Sequence, residues 1–145
     1  YPDLTVAENL AFFARAYDVP REERPATRAW AVEAAGLDGV EGEMVADISG
    51  ATRQRLALAC AVLHAPAVVF LDEPTSGVDP LARHRFWRLV HALAARGLAA
   101  FVTTHYLEEA ENRNRLGLMY RGRLIGIGTA EALRAGFGTA PDAPI

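Results

Sequence analysis

The sequence predicts an α/β core carrying an all-helical block at its N-terminal end. Three observations carry this. Val68-Val69-Phe70-Leu71 is continuously apolar, which reads as a buried parallel strand. A second apolar run, Leu98 to Thr103, comes after it across a stretch of helical periodicity, giving strand, helix, strand. Residues 1–64 hold helical patterns and no strand pattern.

In chain order, Thr5-Val6-Ala7-Glu8 is a capping box, the Thr hydroxyl accepting from the third helical amide and the Glu reaching back. Its helix is expected over Val6 to Tyr17, with Leu10, Phe13 and Tyr17 as the apolar stripe, and Asp18-Val19-Pro20 ends it. A second helix is expected over Ala26 to Ala35; Pro25 fits only its first turn or a kink, and Gly36 supplies a left-handed stop. Asp38 to Asp47, with two glycines and four acids, reads as a loop. Ser49 caps a third helix, about Ala51 to His64, which Pro66 closes.

After the first strand, Asp79 caps a fourth helix and Pro80 takes its first position. Phe86, Leu89, Val90 and Leu93 form its buried stripe, and Arg96-Gly97 ends it. Thr103 and Thr104 read as finishing the second strand and capping the helix after it. That helix is short and polar, expected over Leu107 to Asn114. Leu116 to Tyr120 and Arg123 to Ile127 flank Arg121-Gly122, a two-residue hairpin signature. Thr129 caps a last helix ending near Gly136, and the Gly/Pro/Ala-rich tail is expected to fray. The expected division is a helical subdomain over 1–64, an α/β part over 65–136 and a tail over 137–145.

The 145 residues are 51% hydrophobic and 23% charged with a net charge of −3, which suits a packed core and excludes global disorder. No Lys/Arg cluster marks a nucleic-acid footprint, so no nucleic-acid partner is expected. The single Cys60 excludes an internal disulfide and reads as a small core residue. No apolar stretch approaches the ~20 residues that span a bilayer. The expectation is a soluble cytosolic domain, with a peripheral membrane role open.

The chemistry concentrates where the first strand ends. Asp72 and Glu73 are adjacent carboxylates delivered to the crevice where open α/β sheets bind ligands. Such a pair can divide phosphoryl transfer: one holds Mg²⁺, directly or through water, and the other orients or deprotonates the attacking water. An acidic pair that merely caps the next helix is the competing reading. His105 stands two residues past the second strand; by itself it would be a solvent-exposed histidine at a helix start. Arg53 and Arg55 have two readings, contact with phosphate or a partner domain, or a solvated helix face. Phe12, Phe13 and Trp30 read either as the core of the helical block or as a surface for a partner.

The ordered set resembles the nucleotide-binding domain of ABC transporters, over nearly all 145 residues but matching only the later part of that domain. Val68 to Glu73 is similar to its Walker B strand, Ser76-Gly77-Val78-Asp79 to its D-loop, and His105 to its switch histidine. Ile48-Ser49-Gly50-Ala51-Thr52 occupies the place of the signature motif LSGGQ, and Arg53-Gln54-Arg55 matches the residues that commonly come next. Phe86-Trp87-Arg88-Leu89 and Thr103 to Glu111 look most like the bacterial exporter branch. The resemblance implies an incomplete P-loop NTPase core. It implies ATP and Mg²⁺ as cofactors, Asp72 on the metal, Glu73 as general base and His105 at the γ-phosphate. It also implies that Ser49 and Gly50 engage the ATP held by a second ABC ATPase domain in a head-to-tail dimer, with Asp79 at that interface. A membrane permease would be the other partner, placing the domain at the inner face of the cell membrane. A helix N-terminus capped by a hydroxyl suits a phosphate, through its free amides and its dipole.

The signature departs from the family at Ala51, where a positive φ would be strained, and at Thr52, which lacks the longer amide. No GxxxxGK[ST] occurs, and all 15 positive residues are arginine. Beginning on Tyr1 rather than Met, the chain looks like the middle of a larger polypeptide. In the family the P-loop strand lies beside the strand matched by Leu98 to Thr103, so these residues alone are expected to leave an apolar strand with an open edge. Two rivals stay open: a non-catalytic pseudo-ATPase or regulatory dimerisation partner, and a soluble ABC protein without a permease.

Overall fold

A computed structural model describes residues 1–106 and 115–137. The helix expected over Leu107 to Asn114, and the tail from 138 onward, lie outside the described residues. The chain forms two compact units, Tyr1–Thr103 and Thr104–Ile145.

The first unit begins with α1 (Val6–Ala16), α2 (Arg24–Ala35) and α3 (Gly50–Val62). The capping box of α1 is present: Glu8 N–H donates to Thr5 Oγ1 at 3.2 Å, and Thr5 N–H donates to Glu8 Oε2 at 2.8 Å. The bond from the Thr5 amide, then that from its hydroxyl, holds the Glu8 carboxyl below its usual value. The buried face of α1 is Val6, Asn9, Leu10 and Ala14, whereas Tyr17 is exposed. The expected stripe is therefore rotated, because i, i+4, i+8 spacing from Val6 faces the core and Tyr17 falls past the helix end, against His64. Pro25 sits in the first turn of α2, and Gly36 ends it at φ 59°. The positive φ is what favours glycine here; a Cβ would also approach Arg55 Nη1 to 2.9 Å, and the end of that flexible side chain would have to yield.

The strands β1 (Val68–Asp72) and β2 (Ala99–Thr103) pair in parallel, Val68 against Ala99 through Asp72 against Thr103, across α4 (Pro80–Ala95). Asp79 caps α4, its Oδ1 accepting from Leu81 and Ala82 N–H at 3.0 Å each. Phe86, Trp87, Leu89, Val90 and Leu93 of α4 join the side chains of α1, α2 and α3 in one core, with Leu71 and Val102 packed against it. Cys60 belongs to that core, and burial pushes its thiol up to about 12, so it stays protonated and packs as a small apolar group.

The expectation of a buried β1 is corrected. Among the described residues the sheet has two strands, and one face of it, with Val68, Phe70 and Phe101, is open; Phe70 is 75% exposed. Continuous apolar sequence in a strand signals that both faces are meant to be covered. Among the described residues, Val69 is buried and Leu71, on the same face, packs against the helical core.

The second unit holds the antiparallel hairpin β3 (Leu116–Tyr120) and β4 (Arg123–Gly128), then α5 (Ala130–Phe137). Arg121 and Gly122 both take positive φ, 49° and 75°, as a two-residue primed turn requires. Thr129 caps α5 by accepting from Ala132 N–H.

Candidate functional site

The end of β1 brings the Asp72 carboxylate and the Glu73 backbone together at Thr103. Thr103, at the end of β2, donates its hydroxyl proton to Asp72 Oδ1. Thr103 Oγ1 in turn accepts from Glu73 N–H at 3.1 Å, and that amide also meets Thr103 C=O at 3.1 Å. One side chain thus orients the Asp72 carboxylate and pins the Glu73 backbone, which is more than finishing a strand. In the sequence Thr103 ends an apolar run and opens the family-like run to Glu111, but the pairing register that sets it beside Asp72 is a long-range fact.

Glu73 has φ 41°, a left-handed conformation uncommon for a residue with a long side chain. The turn after it closes with Ser76 N–H on Glu73 C=O at 3.1 Å, Thr75 is buried at 1% exposure, and Gly77 has φ 70°. Backbone strain of this kind costs of order 1–3 kcal/mol and persists only where surrounding contacts impose it. The double hydrogen bond from Glu73 N–H to Thr103 is such a contact. Asp79 closes the segment as the cap of α4, so its carboxylate is turned onto its own helix.

Ser49 caps α3, its Oγ accepting from Thr52 N–H at 3.1 Å, and Gly50 is the first helical residue. Ala51 is helical and is absent from the residues with positive φ, so no strain arises there. Within the chain, Arg53, which is exposed, and Arg55, which is half-buried, bond backbone carbonyls. Arg53 Nη1 donates to the carbonyls of Ala46 (3.3 Å) and Ile48 (2.7 Å), tying down the loop that leads to Ser49. Arg55 Nη1 donates to Ala35 C=O at 2.8 Å and Gly36 C=O at 2.9 Å, where α2 leaves carbonyls unpaired. Burial first, then the neighbouring Arg85 charge, pushes the Arg55 guanidinium below its usual value. Phe12 is 42% exposed, and Phe13 and Trp30 are partly buried against the core.

His105 lies in the second unit, exposed, with its ring 4.2 Å from that of Tyr106. The structure therefore brings together Asp72, Glu73 and Thr103, and sets Ser49 with Gly50 at the start of α3.

The described residues can be tested against Mg²⁺ and a phosphate. Asp72 is an exposed hard-oxygen donor whose Oδ1 is fixed by Thr103, leaving Oδ2 without a hydrogen-bond partner among the described residues. No three His, Cys, Asp or Glu side chains among the described residues converge as a metal set. Mg²⁺ keeps several waters and takes one or two carboxylates plus substrate phosphates, and Asp72 is one such carboxylate. The start of α3 fits one phosphate oxygen: a Ser hydroxyl beside first-turn amides. No helix among the described residues is long and apolar enough to cross a membrane.

A parallel strand ending in Asp72-Glu73, a capped helix behind the turn, and a Ser-capped helix within a helical block define an incomplete P-loop ATPase core of the ABC type. The family model described as ABC transporter matches residues 1–76, and the chain belongs to that family. A model described as AAA domain, putative AbiEii toxin, Type IV TA system matches residues 45–109. Among curated proteins, the chain is 42% identical over 135 residues to the probable multidrug ABC transporter ATP-binding protein YbhF of Escherichia coli (strain K12), covering 93% of this chain and 23% of that protein. It is 41% identical over 133 residues to the Nod factor export ATP-binding protein I of Burkholderia orbicola (strain AU 1054), covering 91% of this chain and 44% of that one. A solved structure of an ATP binding subunit of an ABC transporter superposes with a TM-score of 0.81 at 28% identity, over 99% of this chain and 60% of that one. The chain thus spans less than half the length of these curated relatives.

Proposed function

We propose that these residues are the hydrolytic and partner-facing part of an ABC ATPase domain that turns over ATP to drive transport through a membrane permease. Residues 1–64 act as its helical subdomain and 65–136 as its core part, and a P-loop outside these 145 residues grips the nucleotide. The observation that carries the reading is the locked Asp72–Thr103–Glu73 arrangement at the end of a parallel strand. Two relatives named for multidrug transport and Nod factor export support the exporter-like branch.

Mg²⁺, when bound, neutralises charge on the transferring phosphoryl group. Asp72 would hold it, directly or through water, with Thr103 orienting the carboxylate. Glu73 takes the proton of the attacking water at its carboxylate. His105 steadies the γ-phosphate. Ser49 and Gly50, with the first-turn amides of α3, engage the ATP gripped by a second domain in a head-to-tail dimer, and Asp79 lies at that interface. The working position is the cytoplasmic face of the membrane.

Phosphate release from ATP, titrated with Mg²⁺ in a domain that carries these residues and a P-loop, tests this. Asp72→Asn is expected to raise the Mg²⁺ requirement by about 10–100-fold, the scale on which metal affinity responds to changes around a ligand. An unchanged Mg²⁺ dependence would remove Asp72 from the metal.

A further inference from the structure

Asn9 is a buried amide, 2% exposed, on the same face of α1 as Val6 and Leu10. A polar side chain in such a place is expected to have its hydrogen bonds made. Its N–H groups are shared among the carbonyls of Tyr1 and Thr5, each at 3.0 Å, and of Leu4 at 3.4 Å, so it sets the path of residues 1–5. Segment 41–46 is bonded to that path. Leu4 C=O accepts from Val45 N–H at 3.0 Å, and Pro2 C=O accepts from Ala46 N–H at 3.2 Å. In the other direction, Val6 and Ala7 N–H, the first amides of α1, donate to Glu43 C=O and Glu41 C=O. The strap then runs straight into Ser49, with Val45 and Ile48 buried in the core. Arg53 Nη1 donates to the carbonyls of Ala46 and Ile48. The strap is thus held by its amides on residues 1–5 and by its carbonyls on Arg53.

We propose that Asn9 is a positioning residue for Ser49: through residues 1–5 and the strap 41–48 it fixes where the start of α3 stands. The inference rests on the reading that Ser49 meets the ATP gripped by a second domain. Asn9 touches no reacting atom and acts through the backbone alone. Without its donors the path of residues 1–5 is no longer imposed, and the strap that carries Ser49 loses its reference on α1.

Two measurements on the full-length protein test this. The first is amide hydrogen exchange without nucleotide. Asn9→Ala is expected to speed exchange at Val45, Ala46 and Thr52 by about tenfold, with Ala99 N–H, bonded to Ala67 C=O, unchanged. Equal acceleration at Ala99 would mean a general loss of stability. Acceleration confined to residues 1–9 would mean that the strap does not depend on Asn9. Either result overturns the inference and leaves the Ser49 reading standing. The second measurement locates the damage. Asn9→Ala is expected to lower ATP turnover about tenfold, since a misplacement of about 1 Å at a site costs up to about 100-fold. Mixed with Glu73→Gln protein it should recover activity, because one site then combines the Ser49 of the Glu73→Gln protein with the Glu73 of the Asn9→Ala protein. Mixed with Ser49→Ala protein it should not recover. A general defect in the domain would show recovery in neither mixture, and that outcome contradicts the inference. Arg53→Met, which frees the strap from its carbonyl side, should behave the same way in both mixtures and keeps the test open if Asn9→Ala protein fails to fold. A Ser49→Ala variant with full turnover removes the Ser49 reading, and the role of Asn9 with it.

Discussion

Glu73→Gln, in a domain that carries these residues and a P-loop, is expected to lower ATP turnover by about 10²–10⁴-fold, the range that a positioned general base supplies. Affinity for ATP should change by no more than about twofold, since the lost interaction belongs to the transition state. The substitution is clean here for a structural reason. Glu73 is held in place by its backbone, through the bonds from its amide to the Thr103 hydroxyl and carbonyl, and Gln preserves that amide. Both side chains meet the same cost at φ 41°, so a change in turnover reports the carboxylate rather than the turn.

Glu73→Gly separates chemistry from strain. It removes the left-handed penalty of about 1–2 kcal/mol. Against that, it adds about 0.4–1 kcal/mol of unfolded-state freedom. Its melting temperature is expected to match or exceed the wild type while turnover is lost as fully as in Glu73→Gln. Thermal melts beside phosphate-release assays check both. A Glu73→Gln protein with wild-type turnover would assign the base elsewhere. A strongly destabilised Glu73→Gly would show that the side chain, not only the amide, holds the turn.

The second large effect concerns the sheet. Phe70 and Phe101 stand side by side, ring centroids 5.7 Å apart, at 75% and 60% exposure, with Val68 beside them at 48%. Fully covering an apolar side chain of this size contributes about 1.5–3 kcal/mol, and both outer edges of the two-stranded sheet lack a strand partner among the described residues. An open apolar edge and face invite pairing with another chain. Residues 1–145 expressed alone are therefore expected to self-associate at micromolar concentration. The Phe70→Thr/Phe101→Thr double variant should sediment mostly as monomer, because Thr keeps strand propensity and removes the sticky face. Sedimentation velocity over a concentration series reads this directly. A wild-type chain that stays monomeric and melts cooperatively would contradict it.

What is legible in the sequence and what is hidden divide by range. The capping box at Thr5 and Glu8, the Ser49 and Asp79 caps, Pro80 at a first helical position, the Gly36 stop and the Arg121-Gly122 turn are all decided within about four residues, and each forms as its local chemistry dictates. The parallel pairing of Val68–Asp72 with Ala99–Thr103 agrees with two apolar runs around a helix. Nothing local shows that Thr103 reaches Asp72, because that depends on pairing register across thirty-one positions. Nor does anything local show that Arg53 and Arg55 are consumed by carbonyls before α3 and at the end of α2. On sequence alone each is a phosphate contact or a solvated charge. The strand's apolar run correctly signals a demand for covering, but what covers it is not encoded in the strand. Asp72, Glu73, Ser49, Gly50, Asp79 and His105 stand out by motif resemblance, and the geometry adds physical reasons for the first three.

The central claim is that Glu73 of one domain and Ser49 of another act on the same ATP. Mixing Ser49→Ala protein with Glu73→Gln protein tests it most directly. In a head-to-tail dimer the mixed pair has one site with both lesions and one with neither. Phosphate release by the mixture should therefore rise well above that of either variant alone, reaching about one quarter of the wild-type rate for random pairing of two independent sites. If Ser49 and Glu73 served the same site within one domain, every site in the mixture would carry a lesion. Activity would then stay at the level of the separate variants, and that result would contradict a shared, head-to-tail site.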